Sequence, residues 1–129
     1  MTRTGGCSCG SVRFEVQGEP LRVGLCHCTV CRKETGSVIM PFAIWPTDHF
    51  TVTGATRHWK HRHFCPTCGS RLFEARDGDP EVEIKVGALD AAPTDLRPTY
   101  ETWVVRREHW LSSVNGADEF QGNRPDDYP

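Results

Sequence analysis

The seven cysteines of this chain lie in three tight clusters, and no cysteine falls outside them. The clusters are Cys7-Ser8-Cys9, Cys26-His27-Cys28-Thr29-Val30-Cys31 and Cys65-Pro66-Thr67-Cys68. Two thiolates one or two residues apart on a tight turn can face the same tetrahedral ion, and zinc prefers such sulfur ligands. The spacing therefore predicts a zinc protein, in which the metal staples a chain too short to rely on its core alone.

Disulfide bonds are the main alternative explanation for these cysteines. Their number is odd, and the opening residues 1–4 lead directly into the first cluster without the apolar stretch of a signal peptide. Neighbours at Cys-x-Cys spacing are also poorly placed for a relaxed bridge. A thioredoxin-like redox pair would account for Cys65 and Cys68 alone and leave the other five unexplained. Metal ligation by reduced thiols is favoured, and it predicts a cytoplasmic protein.

Length and composition limit the classes of protein that this chain can be. Its 129 residues predict one domain over residues 1–122, followed by a disordered tail at 123–129 that is rich in Asp and Pro. No apolar run approaches the roughly 20 residues needed to span a bilayer, so no membrane is expected. The formal charge is −2 with both signs mixed, which predicts no nucleic-acid surface. The oligomeric state stays open.

Short alternating segments predict a mainly β fold with very little helix. Apolar and polar residues alternate strictly over 11–17, as in a half-buried strand. Further strands are predicted at 21–25, 50–53, 57–64, 71–74, 81–86 and 102–105. The one short helical turn is predicted at 29–34, ending near Gly36. No long pattern with a 3.6-residue period is present.

The number of cysteines suggests two kinds of metal site. The three central cysteines lie within six residues and can face one ion together, and the two outer pairs then make a complete four-thiolate set. A closed set of four is typical of structural zinc, whereas three protein ligands with a free fourth position are typical of catalytic zinc. Spacing alone leaves other pairings open, since either outer pair could join two members of the central cluster.

Histidine could also complete a site. His27 is poorly placed, because a side chain between two adjacent ligands tends to point away from the ion. His58, His61 and His63 are better candidates, although a strand over 57–64 would leave them as ordinary exposed residues. Four tryptophans could line an apolar cleft beside the open zinc, or could simply pack in the core. They are Trp45, Trp59, Trp103 and Trp110.

The motifs resemble those of the glutathione-dependent formaldehyde-activating enzyme family, the GFA domain family, which also contains centromere protein V. The matching segments are Gly5-Gly6-Cys7-Ser8-Cys9-Gly10-Ser11-Val12-Arg13-Phe14, Cys26-His27-Cys28-Thr29-Val30-Cys31-Arg32-Lys33, Thr35-Gly36-Ser37 and Phe64-Cys65-Pro66-Thr67-Cys68-Gly69-Ser70. The resemblance covers about residues 5 to 122. It implies a β-tent fold of short antiparallel sheets with two zinc ions per chain.

The same resemblance assigns roles to the cysteines. It implies a structural zinc on Cys7, Cys9, Cys65 and Cys68, and a catalytic zinc on Cys26, Cys28 and Cys31 with its fourth position open. The activity implied is that of a carbon–sulfur lyase, which joins the thiol glutathione to the aldehyde formaldehyde as S-hydroxymethylglutathione or cleaves that adduct.

Arg32 and Lys33 directly follow the last of the central cysteines. These two cations could bind a carboxylate of the thiol substrate or offset the negative charge of a zinc ion with three thiolates. An ordinary solvated pair on a short helical turn is the alternative. Two further hypotheses compete with the lyase: a non-catalytic zinc-binding interaction module, and a redox-sensing zinc–thiolate protein.

Overall fold

The computed structural model describes all residues 1–129 and is mainly β, with 36% of residues in strands and 12% in helices. This confirms the fold class predicted from the alternating segments. The strands are β1 (Thr2–Gly6), β2 (Arg13–Gln17), β3 (Arg22–Cys26), β4 (Met40–Pro46), β5 (Phe50–Thr53), β6 (Arg57–Trp59), β7 (Arg62–Phe64), β8 (Arg71–Glu74), β9 (Glu81–Lys85), β10 (Tyr100–Thr102) and β11 (Asp118–Glu119).

Helical structure is short. The one α-helix is α1 (Thr29–Thr35), and 3-10 turns occur at Thr47–His49, Val86–Ala88 and Val104–Arg106. Helix α1 begins after Cys28, whose side chain accepts a hydrogen bond from the backbone N–H of Cys31, and it ends at Gly36 in the left-handed conformation. A glycine at this position is the usual helix terminator, as the sequence predicted. None of these helices has both the length and the apolar character needed to cross a bilayer.

The chain divides into two compact units, each built from two separate stretches of sequence. Unit 1 comprises Met1–Leu21 and Ala43–Asp95, and unit 2 comprises Arg22–Phe42 and Leu96–Pro129. Strand β4 therefore begins in unit 2 and ends in unit 1.

Unit 1 contains a three-stranded antiparallel sheet in the order β1-β2-β5. In β2, Phe14 and Val16 are buried while the residues between them are exposed, as the strict alternation of the sequence predicted. Gly5 lies opposite Phe14, and a Cβ atom on it would come within 2.4 Å of both the Phe14 ring and the carbonyl oxygen of Ala88. Only glycine fits at this position.

Unit 1 also contains the antiparallel meander β6-β7-β8-β9. Leu72 and Phe73 of β8 and Val82 and Ile84 of β9 are buried in its core. The sequence predicted one strand over 57–64, and this prediction was wrong. The segment folds back as the hairpin of β6 and β7 around a two-residue loop that contains neither glycine nor proline, so the usual turn signal is missing.

Unit 2 is organised around parallel strand pairs. Strand β10 pairs in parallel with β3 on one side and with β11 on the other. A long connection separates β3 from β10, so no hairpin forces them to be antiparallel. Gly24 of β3 lies against the rings of Phe42 and Tyr100, where a Cβ atom would come within 2.7 and 2.9 Å. These two rings contact each other edge to face at 5.8 Å.

The prediction of a strand at 102–105 is correct for its first residue and wrong for the other three. Strand β10 ends at Thr102, and Trp103 takes a left-handed conformation with φ of 56°. The backbone N–H of Trp103 donates to the carbonyl of Gly122 at 3.0 Å, and its indole N–H donates to Asn123 at 2.9 Å. These long-range bonds outweigh the strand propensity of the run Trp-Val-Val.

The last residues of the chain include one well-packed aromatic side chain. The ring of Tyr128 lies 5.2 Å from that of Tyr100 and 5.1 Å from that of Phe120. Its hydroxyl donates a hydrogen bond to Asp118 at 2.7 Å. The segment for which the sequence predicts disorder, residues 123–129, is thus attached to the aromatic cluster of unit 2 through Tyr128.

Candidate metal centres

All seven cysteines are free thiols, and their sulfur atoms gather in two places. The four-sulfur set, in unit 1, consists of Cys7, Cys9, Cys65 and Cys68, and all its sulfur atoms lie within 4.8 Å of one another. The sulfur of Cys9 lies 3.6 Å from that of Cys7 and 3.7 Å from that of Cys65. Four sulfurs at about 2.3 Å from a tetrahedral zinc would be about 3.8 Å apart. This geometry fits a zinc ion.

Two tight turns build the four-sulfur set. After Cys9 comes Gly10 with φ of 83°, and after Cys68 comes Gly69 with φ of 77°, so each turn is completed by a left-handed glycine. The backbone N–H of Gly69 donates to the carbonyl of Cys65 at 2.8 Å. The turn over Cys7 is closed in the same way, because the N–H of Gly10 donates to the carbonyl of Cys7 at 3.2 Å.

Hydrogen bonds to sulfur favour the thiolate form of two members of this set. The hydroxyl and the backbone N–H of Ser70 lower the pKa of Cys68 to about 5. Burial raises the pKa of Cys7, but bonds from the N–H of Val12 and the hydroxyl of Ser11 outweigh it, and the net pKa is about 7. Thiolate is the form of cysteine that binds metals.

The three-sulfur set, in unit 2, consists of Cys26, Cys28 and Cys31, whose sulfur atoms also lie within 4.8 Å of one another. Cys26 ends β3, Cys28 precedes α1 and Cys31 lies in its first turn. The N–H of Cys28 points at the sulfur of Cys26 at 3.5 Å, and the N–H of Cys31 at the sulfur of Cys28 at 3.3 Å. Such bonds orient sulfur ligands.

The pKa values of Cys26 and Cys31 are shifted in opposite directions. A hydrogen bond from the thiol of Cys31 lowers the pKa of Cys26 to about 5 against the effect of burial, helped by the hydroxyl of Thr102. The same bond raises the pKa of Cys31, as do burial and the negative charge of Cys26. Three thiolates this close repel one another unless a cation lies among them, so the donor set fits a soft divalent metal.

The three-sulfur set has no fourth protein ligand within the same distance. His27 is completely buried, and its Nε2 forms a 2.8 Å bond to a carboxylate oxygen of Glu101. His58, His61 and His63 lie in the β6–β7 hairpin and belong to neither set. The structure thus brings together the two groups of cysteines that the sequence analysis favoured. The metal-binding role of each cysteine stays a prediction.

Sequence reasoning missed two residues beside the three-sulfur set. Thr102 lies opposite Cys26 in the β3–β10 pair, its carbonyl accepts the N–H of His27 at 3.1 Å, and its hydroxyl bonds to the sulfur of Cys26. Glu101 is 1% exposed. Burial raises the pKa of Glu101, but bonds from His27, the N–H of Val114 and Arg107 lower it overall. No local motif in the sequence marks either residue.

The two cations after Cys31 have different surroundings. The guanidinium of Arg32 donates to a carboxylate oxygen of Glu108 at 2.6 Å and to the carbonyl of Arg106 at 3.3 Å. Lys33 is exposed. A substrate carboxylate could therefore reach Lys33 directly, whereas Arg32 already has a carboxylate partner.

The tryptophans differ widely in their exposure. Trp45 is completely buried in unit 1, where its indole N–H donates to the carbonyl of Gly18 at 3.0 Å. Trp59 of unit 1 and Trp110 of unit 2 are 59% and 72% exposed. A cavity of about 180 Å³ in unit 1 is lined by Ile44, Glu74, Arg76, Asp79, Glu81 and Glu83, with no tryptophan or cysteine among them.

Fold and site together define a small, mainly β protein with two candidate metal centres made of cysteine. The glutathione-dependent formaldehyde-activating enzyme family matches residues 2–106. The chain belongs to this family, which confirms the resemblance drawn from its motifs.

Two relatives illustrate the range of similarity. A protein of Halomonas elongata, provisionally named a glutathione-dependent formaldehyde-activating enzyme, is 28% identical over an alignment of 96 residues, and the match covers 64% of this chain and 61% of the relative. The chain thus spans less than two thirds of that relative's length. A crystal structure of a Rhodobacter sphaeroides protein has the same fold over 77% of this chain and 99% of its own, with a TM-score of 0.56 and 26% identity.

Proposed function

We propose that this protein is a zinc-dependent carbon–sulfur lyase that forms or cleaves a thiol–aldehyde adduct of the S-hydroxymethylglutathione type. The observation that carries the proposal is the three-sulfur set, which gathers three thiols and offers no fourth protein ligand. Three protein ligands with an open position are the arrangement of catalytic zinc. Family membership supports glutathione and formaldehyde as the substrate pair.

Two zinc ions per chain are part of the proposal. Cys26, Cys28 and Cys31 would hold the catalytic ion, and the four-sulfur set would hold a structural one. The catalytic zinc would supply an open coordination position at which a thiol loses its proton and binds as a thiolate. The cytoplasm, where cysteines stay reduced, is the compartment that we propose for seven free thiols.

The residues around the three-sulfur set have separate tasks in this proposal. The backbone N–H groups of Cys28 and Cys31 and the hydroxyl of Thr102 spread the negative charge of the thiolates. Lys33, exposed one turn along α1, would bind a carboxylate of the thiol substrate. Arg32 would hold the 106–108 segment beside the helix through Glu108.

The test is an assay of adduct formation from glutathione and formaldehyde with the purified, zinc-loaded protein. We expect saturable, enzyme-dependent formation of S-hydroxymethylglutathione, and we expect Cys28→Ser to abolish it while the domain stays folded. Cys28 is chosen because it is the partly exposed member of the set, so its replacement disturbs the core least. No acceleration over the uncatalysed reaction with a panel of thiols and aldehydes would refute the lyase.

One observation favours the redox-sensor alternative. In the four-sulfur set, Cys9 and Cys68 are exposed to solvent. Exposed thiolates react with peroxide, and oxidation of either would release a bound metal. Zinc release by stoichiometric peroxide, reversed by a thiol reductant, would support this alternative, provided that the protein shows no lyase activity.

A further inference from the structure

A buried hydrogen-bonded pair lies directly beside the three-sulfur set. His27 and Glu101 are 0% and 1% exposed, and they are joined by a 2.8 Å hydrogen bond. His27 is the residue between Cys26 and Cys28, so any movement of its backbone moves both sulfur-bearing residues. Burying a carboxylate without partners would be strongly unfavourable, and its retention here requires compensating bonds.

Glu101 has these bonds on both of its oxygens. One oxygen accepts the bond from His27, and the other accepts the backbone N–H of Val114 at 2.9 Å. The guanidinium of Arg107 lies 3.2 Å from this second oxygen and also pairs with Glu119. The carboxylate is therefore fixed by three donors from different segments of unit 2.

His27 depends on Glu101 for its only side-chain hydrogen bond. Its Nδ1 is buried and has no hydrogen-bond partner in the structure. Because the ionised carboxylate can only accept, Nε2 carries the proton and donates it. Removing the Glu101 charge would weaken the one bond that orients a buried imidazole, and an unsatisfied buried polar ring is costly.

Strand β10 thus contacts the segment that carries the first two sulfurs, residues 26–28, at three points. The carboxylate of Glu101 holds the His27 ring, the carbonyl of Thr102 holds the His27 N–H at 3.1 Å, and the hydroxyl of Thr102 bonds to the Cys26 sulfur. Groups that orient metal ligands without touching the metal commonly change metal affinity about 10- to 100-fold when they are mutated.

We propose that Glu101 is a positioning residue for the three-sulfur centre: through His27 it fixes the backbone between Cys26 and Cys28, and it thereby sets the metal affinity of the set. This inference rests on the proposed metal site but not on the lyase activity. The bond from Glu101 to His27 would then serve the three-sulfur centre rather than general stability.

The experiment compares Glu101→Gln with a matched control, Glu83→Gln. Glu83 pairs at 2.8 Å with Lys85, which is 5% exposed. The control therefore also removes the charge of a carboxylate that has a largely buried partner, but in unit 1 and at neither sulfur set. Zinc affinity is measured by competition with a chromogenic chelator on the full-length protein. Cobalt(II) substitution then reports the ligand geometry of each set through its sulfur-to-metal charge-transfer bands.

We expect Glu101→Gln to lower the zinc affinity of the three-sulfur set by about 10- to 100-fold. The cobalt spectrum of that set alone should change. Glu83→Gln should leave both affinities and the spectrum unchanged. Arg107→Gln removes one of the three donors to the same carboxylate. It should also lower the zinc affinity, but by a smaller factor. It serves as the test if Glu101→Gln does not fold.

Two outcomes would overturn the inference. Zinc affinity within twofold of the wild type in both Glu101→Gln and Arg107→Gln would make the pair merely structural. An equal loss in Glu83→Gln would mean that general destabilisation, not positioning, releases the metal. A wild-type protein with two zincs and no lyase activity would refute the proposed function alone, because none of these readouts uses catalysis.

Discussion

Arg32 and Lys33, the two cations that follow the three-sulfur set, differ in what they are free to bind. Arg32 donates to Glu108 and to a backbone carbonyl, while Lys33 is exposed on the same helix. An exposed ammonium group attracts a carboxylate weakly, by roughly 0.2–1 kcal/mol. At the scale of single residues, Lys33 is therefore expected to contribute to substrate binding and not to chemistry.

Lys33→Ala tests this expectation. We expect the KM for glutathione to rise about two- to fivefold, which corresponds to the loss of one exposed ion pair, with kcat little changed. Binding energy that is equal in the ground state and the transition state changes KM alone. Lys60→Ala, at an exposed lysine of unit 1, is the control and should leave both constants unchanged. A fall in kcat with constant KM for Lys33→Ala would contradict the assignment.

The cysteine groups were accessible to sequence analysis because their chemistry is local. Residues two or three positions apart on a turn must lie near each other in any fold, so spacing predicted each of the three clusters. Spacing left open which clusters share an ion, and the count of seven cysteines favoured the two sets. Glu101 and Thr102 were not accessible in this way. They reach the set only through the parallel pairing of β10 with β3, which is a property of the folded chain.

At the scale of elements, the β6–β7 hairpin is strained at its tip. The two loop residues, Lys60 and His61, have φ of 47° and 67°. Two-residue loops of this kind prefer Asn-Gly, because a left-handed conformation is unfavourable for other residues by roughly 1–2 kcal/mol each. The indole ring of Trp59 beside the loop is contacted by the Lys60 ammonium group at 4.8 Å, which offsets part of this strain.

The double variant Lys60→Asn/His61→Gly should therefore stabilise the protein. We expect the free energy of unfolding to rise by about 1 kcal/mol and Tm by about 4 °C, measured by circular dichroism at saturating zinc. Lys60→Ala/His61→Ala removes the same side chains without relieving the left-handed conformation, and it should not stabilise the protein. Equal Tm values for the two double variants would show that the loop is not strained.

The same hairpin shows why strand prediction failed in places. Alternation located β2 and β9 well, since each has a buried face that the pattern records. In the hairpin, a run of basic and aromatic residues continues through the turn without glycine or proline. After Thr102, bonds of Trp103 to Gly122 and Asn123 impose a turn on a run of strand-forming residues. The first failure comes from a missing turn signal, and the second from long-range contacts.

At the scale of the whole molecule, each compact unit has one sulfur set of its own. The four-sulfur set connects the start of unit 1 to the turn after β7, and the three-sulfur set connects β3 to α1 in unit 2. Closing a loop between distant positions lowers the entropy of the unfolded chain, so the four-sulfur set suits a structural clamp. The three-sulfur set spans only six residues and gains little in this way. This difference supports the separate roles that we propose.

The most direct test of the account is the number of zinc ions per chain, measured by native mass spectrometry of freshly purified protein under reducing conditions. We expect two ions in the wild type and one in Cys28→Ser. Added zinc should not raise the count above two. A wild-type protein that holds a single zinc, unchanged after zinc is added back, would contradict the proposal of a metal at the three-sulfur set.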